Sequence, residues 1–290
     1  GKAVRTPARD TMLSQAGVSL GQGWAFAMHE ALDQSGALVG PLVVAGMVAL
    51  SGYRLGFAVL AVPGVLAALT LFWLRRAAPA PAAYPSERAL DPASTAPTSS
   101  SRFPARFWLY ALFTALTMGG FATFAVLAYH LQVRHVLSPA LIPVTYAVAM
   151  GAAAIAALAS GRLYDRIGLR VLVVLPVLAA VVPFLSFSTR AVLVWLGALV
   201  WGLAMGVHES TMRAAVADLI PIERRGTGYG VFTAIYGLAW LGGAAAIGAL
   251  YGRRLHNLEL FVLALQAAAL VAFLPLAGGR PASANRTGAG

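Results

Sequence analysis

Two long apolar runs, Leu141–Ser160 and Val171–Phe187, are separated by only ten residues, Gly161–Arg170. A helix needs ~20 residues to cross a hydrocarbon layer of ~30 Å, and each run meets or nearly meets that length. Such a pair must fold back on itself, so it predicts a helical hairpin with a short charged bend. The bend reads Gly-Arg-Leu-Tyr-Asp-Arg-Ile-Gly-Leu-Arg. Gly161 and Gly168 suit a tight turn because neither carries a Cβ. Asp165 stands among Arg162, Arg166 and Arg170, so a carboxylate–guanidinium cluster is expected there. The plainer reading of the bend is an ordinary Arg-rich loop.

Six further runs have the same character: Trp24–Leu50, Leu55–Leu74, Phe107–Leu131, Val192–Met212, Tyr229–Leu250 and Leu258–Leu276. Charged residues make up 11% of the chain, against about 25% in a soluble domain. The fold class is therefore all-α membrane protein with about eight transmembrane helices. Pro41 lies inside the first run and predicts a kink. The net charge of +11 falls in the gaps between runs, which fits bilayer orientation and not nucleic acid binding. Alternate gaps hold 16 Lys and Arg against five on the other side. By the positive-inside rule both ends of this chain face the cytoplasm of a cell (inner) membrane, with the lipid bilayer as the main partner.

The chemistry open to the chain is narrow. There is no cysteine, so disulfides and thiol catalysis are excluded. No nucleophile elbow, zinc-helix motif or phosphate loop occurs. The reading is a chain that is not an enzyme, with no cofactor and no metal site.

Organisation follows composition. Residues 77–106 hold many Pro, Ala, Ser and Thr without apolar periodicity, and read as a linker. Shifting the chain by 203 residues overlays the first two runs on the last two: Gly23 on Gly226, Ala31 on Ala234, Leu38 on Leu241, Gly40 on Gly243. With one gap, Arg9 falls on Arg213. A constant offset over some 50 residues points to duplication.

The bend residues Gly161, Leu163, Asp165, Arg166, Gly168 and Arg170 resemble the signature loop of the major facilitator superfamily. Leu169 departs from it, since a basic residue is usual there. The resemblance implies a helical bundle of twelve spans in two parallel halves. It also implies that the loop acts as a charged latch which gates one side. Arg225-Gly226 resembles the pair that precedes the eleventh helix in that family, with Gln22 at the matching place in the first half. Gly36-x-x-x-Gly40-Pro41 resembles in part a fifth-helix antiporter motif, and its small residues suit close helix packing.

The resemblance gives the expected divisions. Residues 1–22 form a cytoplasmic segment, and 23–76 the last two helices of an N-terminal half. Residues 77–106 are a cytoplasmic linker, 107–278 a six-helix C-terminal half, and 279–290 a cytoplasmic tail. The expectation is a fragment lacking about four N-terminal helices, and the alternative is a natural eight-span protein.

Acidic side chains within spans are costly, so they are the first candidates for function. Glu30 and Asp33 are neighbours at i and i+3 in the first run and are candidate proton-coupling groups. The alternative is that they pair with Arg5, Arg9 or Arg213. His208, Glu209 and Arg213 cluster at the end of the sixth run, where Glu209 and Arg213 suit an i, i+4 ion pair. Tyr110, Thr114 and Thr117 share one face, and Tyr236 and Trp240 share another. These five are candidate cavity-lining residues, with ordinary packing as the alternative. The functional expectation is secondary transport of a small organic solute by a monomer, coupled to protons. A polytopic membrane enzyme or a non-transporting receptor is the alternative.

Overall fold

A computed structural model describes residues 2–77, 103–139, 141–221 and 224–277. Most of the expected linker and the whole expected tail lie outside the described residues, as do the side chains of Lys2 and Arg5. All regular structure among the described residues is helical. The elements are α1 Lys2–Leu20, α2 Gln22–Ala58, α3 Ala61–Ala77, α4 Ala105–Gly119 and α5 Phe124–Val133. After them come α6 Leu141–Ile167, a 3-10 segment Gly168–Val173, α7 Val174–Ser186, α8 Ala191–Leu219, α9 Arg225–Tyr251 and α10 Leu255–Ala277. Every apolar run is thus mainly helical. Among the described residues, five helical stretches are long and apolar enough to cross a membrane. One of them, Leu141–Ser186, runs for 46 residues, twice what a single crossing needs.

That stretch is a hairpin. Gly202 and Gly206 of α8 press on Ala149 and Ala153 of α6, so the two helices run in the same direction. Gly197, near the start of α8, presses on Ser186 at the end of α7, so α7 runs back alongside. The reversal differs from expectation. The helix does not turn at Gly161 but continues to Ile167, and the chain bends at Gly168, whose φ is +63°. In that left-handed region only glycine is unstrained.

The chain divides into two compact units, Gly1–Leu38 with Phe103–Gly290, and Val39–Arg102. In the second unit, helical dihedrals continue through Pro41 and break at Gly52, at φ 78° and ψ 176°. Along α3 the apolar side chains Leu66, Leu69, Phe72 and Trp73 are exposed.

The first unit buries several polar side chains beside its apolar cores and exposes large apolar ones. Thr114, Thr117, Gln266, Glu30 and His208 are buried, while Leu238, Leu241, Val271 and Leu274 are exposed. A bilayer makes such an apolar surface stable. Two cores hold the unit. One gathers Phe107, Tyr110, Phe113, Leu172, Met212, Tyr229, Phe232 and Phe273. The other gathers Met150, Val182, Trp201, Ile247, Leu258 and Val262. Between α4 and α5 the helix opens at Gly120–Thr123, and buried side chains take up the freed carbonyls. Trp201 Nε1 donates to Ala122 O at 2.7 Å and Gln266 Nε2 to Thr117 O at 3.0 Å.

Candidate functional site

The first N–H groups of a helix have no partner inside it, and with the macrodipole they attract a carboxylate. Asp165, in the last turn of α6, meets this need at the start of α2. Gly23 N donates to its Oδ1 and Trp24 N to its Oδ2, both at 2.8 Å. The approach is close because the chain is bare there. A Cβ at Gly21 would fall 2.5 Å from Asp165 Oδ2, and one at Gly23 would fall 2.9 Å from Oδ1. Gly161 backs onto the Gly23 carbonyl and the Ala27 methyl, with no room for a side chain.

The expected arginine cluster around Asp165 does not form. Arg162 lies over the Trp24 ring at 3.8 Å, Arg170 Nε donates to Ala277 O at 3.3 Å, and Arg166 is exposed. An exposed ion pair gains little over two hydrated ions. Two otherwise orphaned N–H groups gain more from a carboxylate.

A second closure lies deeper. Arg213, on α8, is surrounded by three carboxylates from three helices. Its Nε is 3.5 Å from Asp10 Oδ2 on α1, and its Nη1 is 3.5 Å from Glu30 Oε2 on α2. Its Nη2 pairs with Glu209 Oε2 one turn earlier on α8. The expected Glu209–Arg213 pair is therefore present. So is the contact that made ion pairing the alternative for Glu30. Asp10 also accepts from Arg9 Nη2 at 2.8 Å, and Glu30 accepts from Gln34 Nε2. Tyr236 OH donates to Glu209 Oε1 at 3.0 Å. Tyr229 OH donates to the carbonyl of Arg213, and Tyr110 OH to that of Met212. Charged groups this deep persist only when paired, and the pairing draws α1, α2, α8 and α9 together.

Beside this hub is a small pocket lined by Thr6, His208, Glu209, Arg213, Thr233 and Tyr236. The His208 ring is 3% exposed, and neither of its nitrogens has a hydrogen-bond partner. Its Nδ1 lies 3.8 Å from Glu209 Oε1.

The other expected residues separate. Tyr110, Thr114 and Thr117 are fully packed and do not line this pocket. Thr117 donates to its own helix at Phe113 O, and the Tyr110 ring stacks on Phe232 at 5.9 Å. Tyr236 lines the pocket, and Trp240 meets it edge-on at 5.7 Å. Asp33 is exposed and makes no hydrogen bond or ion pair among the described residues. No described atom lies within 4 Å of a Cβ built at Gly36 or Gly40. On α8, Gly202-x-x-x-Gly206 makes a close helix contact, and its small–xxx–small spacing was visible in the sequence.

The rings of the interior form an unbroken chain. Tyr146 on α6 meets Phe124 at 4.9 Å, and Phe124 meets Trp201 at 5.3 Å. Trp201 stacks on Phe121, and Phe121 on His208. His208 stacks on Tyr236 at 5.0 Å, which leads to Trp240.

The first unit also carries a duplicated pattern. Gln22 Nε2 donates to Ser14 O, and Arg225 Nη2 to Ala217 O. Each reaches back eight residues, and the two contacts are related by the same shift of 203 seen in the sequence. Without a gap, that shift places Asp10 on Arg213 and Phe26 on Tyr229. Both of these pairs touch: the ions as given above, and the rings at 6.1 Å. Sequence reasoning missed Asp10 because the gapped overlay matched Arg9 to Arg213.

Comparison with known proteins agrees with this geometry. The chain is 48% identical to an uncharacterized protein of Mycobacterium tuberculosis strain H37Rv, Rv2265, over 273 residues, which is 93% of this chain and 66% of that protein. The same figures hold for the uncharacterized protein Mb2288 of Mycobacterium bovis. The chain thus spans just under two thirds of the length of these curated relatives. The sequence profile of the Major Facilitator Superfamily matches residues 1–244. With that match, a bilayer-adapted helical bundle and a signature-loop aspartate seated on a helix terminus, this multi-pass membrane chain belongs to the Major Facilitator Superfamily.

Proposed function

We propose that the chain is part of a secondary transporter that moves a small organic solute by alternating access, coupled to protons. The observation that carries the reading is the double closure at one end of the bundle. Asp165 binds the start of α2, and Arg213 binds Asp10, Glu30 and Glu209. Both join residues 1–38 to the six-helix part, residues 107–278. Rocking of one half against the other must break such contacts to open that side. By the charge rule this end is cytoplasmic, and both ends of the chain lie there, in the inner membrane. Residues 23–76 are then the last two helices of the first half, 77–106 the linker, and the protein works as a monomer.

Glu30 is the coupling carboxylate. It is buried on α2 and shares Arg213 with two other acids. Loading a proton on Glu30 cancels its attraction to Arg213 and loosens the joint between α2 and α8. The Asp165 segment, with Gly161, Arg166, Gly168 and Arg170, is the gate. The partial antiporter motif at Gly36, Gly40 and Pro41 favours exchange of solute against protons.

Transport by the full-length protein in liposomes, with an imposed pH gradient, tests this. Glu30→Gln is expected to abolish gradient-driven accumulation while solute exchange continues. Asp165→Asn is expected to slow both by ~tenfold, about 1.4 kcal/mol in the rate-limiting step. Wild-type rates in both variants would remove the two assigned roles.

A further inference from the structure

A second buried cluster, unused by the transport reading, lies at the far end of α9 from the hub. His130, in the last turn of α5, is 0% exposed. Its Nδ1 lies 2.9 Å from the Tyr251 hydroxyl at the end of α9. Its Nε2 lies 3.3 Å from the carbonyl of Ser188, in the turn between α7 and α8. Along α9, at ~1.5 Å per residue, Tyr251 is ~22 Å from Tyr236 of the hub. The Phe187 ring meets His130 at 5.4 Å and Tyr251 at 5.7 Å. Tyr129 meets Tyr251 edge-on, also at 5.7 Å. The charged and titratable groups that adjoin these residues along the chain are Arg134, His135, Arg190, Arg253 and Arg254, all exposed and all basic. No acid pairs with His130 among the described residues. α5 is only ten residues long and is cut off from α4 by the opening at Gly120–Thr123. The two contacts of His130 therefore tie down its far end.

A carbonyl oxygen can only accept, so Nε2 carries the ring proton and donates to Ser188. Nδ1 is then bare and accepts from the Tyr251 hydroxyl. One tautomer of the neutral ring thus satisfies both contacts. A second proton, on Nδ1, takes away the acceptor of Tyr251. It also places a charge in a buried site with arginines beside it along the chain and no paired carboxylate. Buried charge without a partner is unstable and goes to water. We propose that His130 is a proton-operated clasp at the end of the bundle away from the hub. Neutral, it holds the end of α5 to α9 and to the α7–α8 turn. Protonated, it lets α5 go. The closed form binds one proton fewer than the open form, so acid on that side favours opening. Histidine changes charge in the physiological range. A glutamine could make both bonds and would not lose them with pH. That the released helix opens a path for solute rests on the transporter reading, whereas the clasp itself does not.

Hydrogen–deuterium exchange of the purified full-length protein in detergent tests the clasp, at about pH 8 and about pH 5, either side of the ordinary histidine range. Rates are corrected for the intrinsic pH dependence of amide exchange. In the wild type the amides of α5, residues 124–133, are expected to lose protection at least ~tenfold in acid while those of α8 keep theirs. His130→Gln should keep α5 protected at both pH values, and His130→Ala should leave it unprotected at both. His135→Gln should respond to pH as the wild type does. The proposal is overturned by α5 protection that ignores pH in the wild type, by an equal loss in α5 and α8, or by a His130→Gln protein that still opens in acid. Where the His130 variants fail to fold, the wild type and His135→Gln still decide, because a response lost in His135→Gln assigns the proton to His135. Acid opening of α5 in a protein that moves no solute would leave the clasp and remove the transporter reading. Transport by a protein whose α5 ignores pH would do the opposite.

Discussion

Arg213 is the residue on which the interior charge depends. Remove its guanidinium and Asp10, Glu30 and Glu209 remain close together and buried or nearly so. Stranding buried charge costs about 3–5 kcal/mol, so Arg213→Gln should lower the thermal midpoint in detergent markedly. Adding Glu30→Gln to that variant should recover part of the loss, since one of the stranded charges is gone. A midpoint indifferent to Arg213→Gln would mean the hub carries no structural energy. The sequence made half of this hub legible. Glu209 and Arg213 are four apart on one helix, and local spacing is enough to pair them. Arg213 stood among the alternative partners of Glu30, whereas Asp10 reaches it only through tertiary packing, which no local pattern encodes. Asp165 was legible as important and not legible in its partner. Nearby arginines look like natural mates on paper, yet the start of α2, some 140 residues away in sequence, offers it two unsatisfied donors.

Among the helices, α6 and α8 come into backbone contact, and glycine makes it possible. Gly202 and Gly206 sit against the carbonyls of Ala149 and Ala153, where any Cβ would collide with backbone. Gly206→Val should therefore push the helices apart, at the ~1–3 kcal/mol typical of overpacking. It should show as a lower fraction of monodisperse protein surviving heating on size exclusion. Survival at the wild-type level would mean that α6 and α8 are not held at this seam. Helix positions were readable from the apolar runs because run length is what a bilayer demands. Helix ends were not. α6 continues seven residues past Ser160, because the residues of the bend are compatible with helix and only Gly168 forces the reversal. The spacing of Gly202 and Gly206 revealed a bare face but not that Ala149 and Ala153 come against it.

On the scale of the whole molecule, the duplicated pattern links sequence to mechanism. The shift of 203 relates Gln22–Ser14 to Arg225–Ala217 as contacts, and it brings Asp10 to Arg213 and Phe26 to Tyr229 as touching partners. Equivalent residues of two repeats meet where the repeats face each other, and in the proposed transport cycle that joint is the one that opens. The central claim is that the Asp165 contact with α2 is made and broken in such a motion. This chain has no cysteine, so with any cysteine outside it replaced, spin labels can be placed at Leu20→Cys and Ile167→Cys, both exposed, in the full-length protein. Pulsed electron resonance between them should give two distance populations, one matching the closed end. Asp165→Asn should move their ratio toward the longer distance about fivefold, for ~1 kcal/mol lost at the helix terminus. A single distance, the same with and without the Asp165 charge, would contradict it.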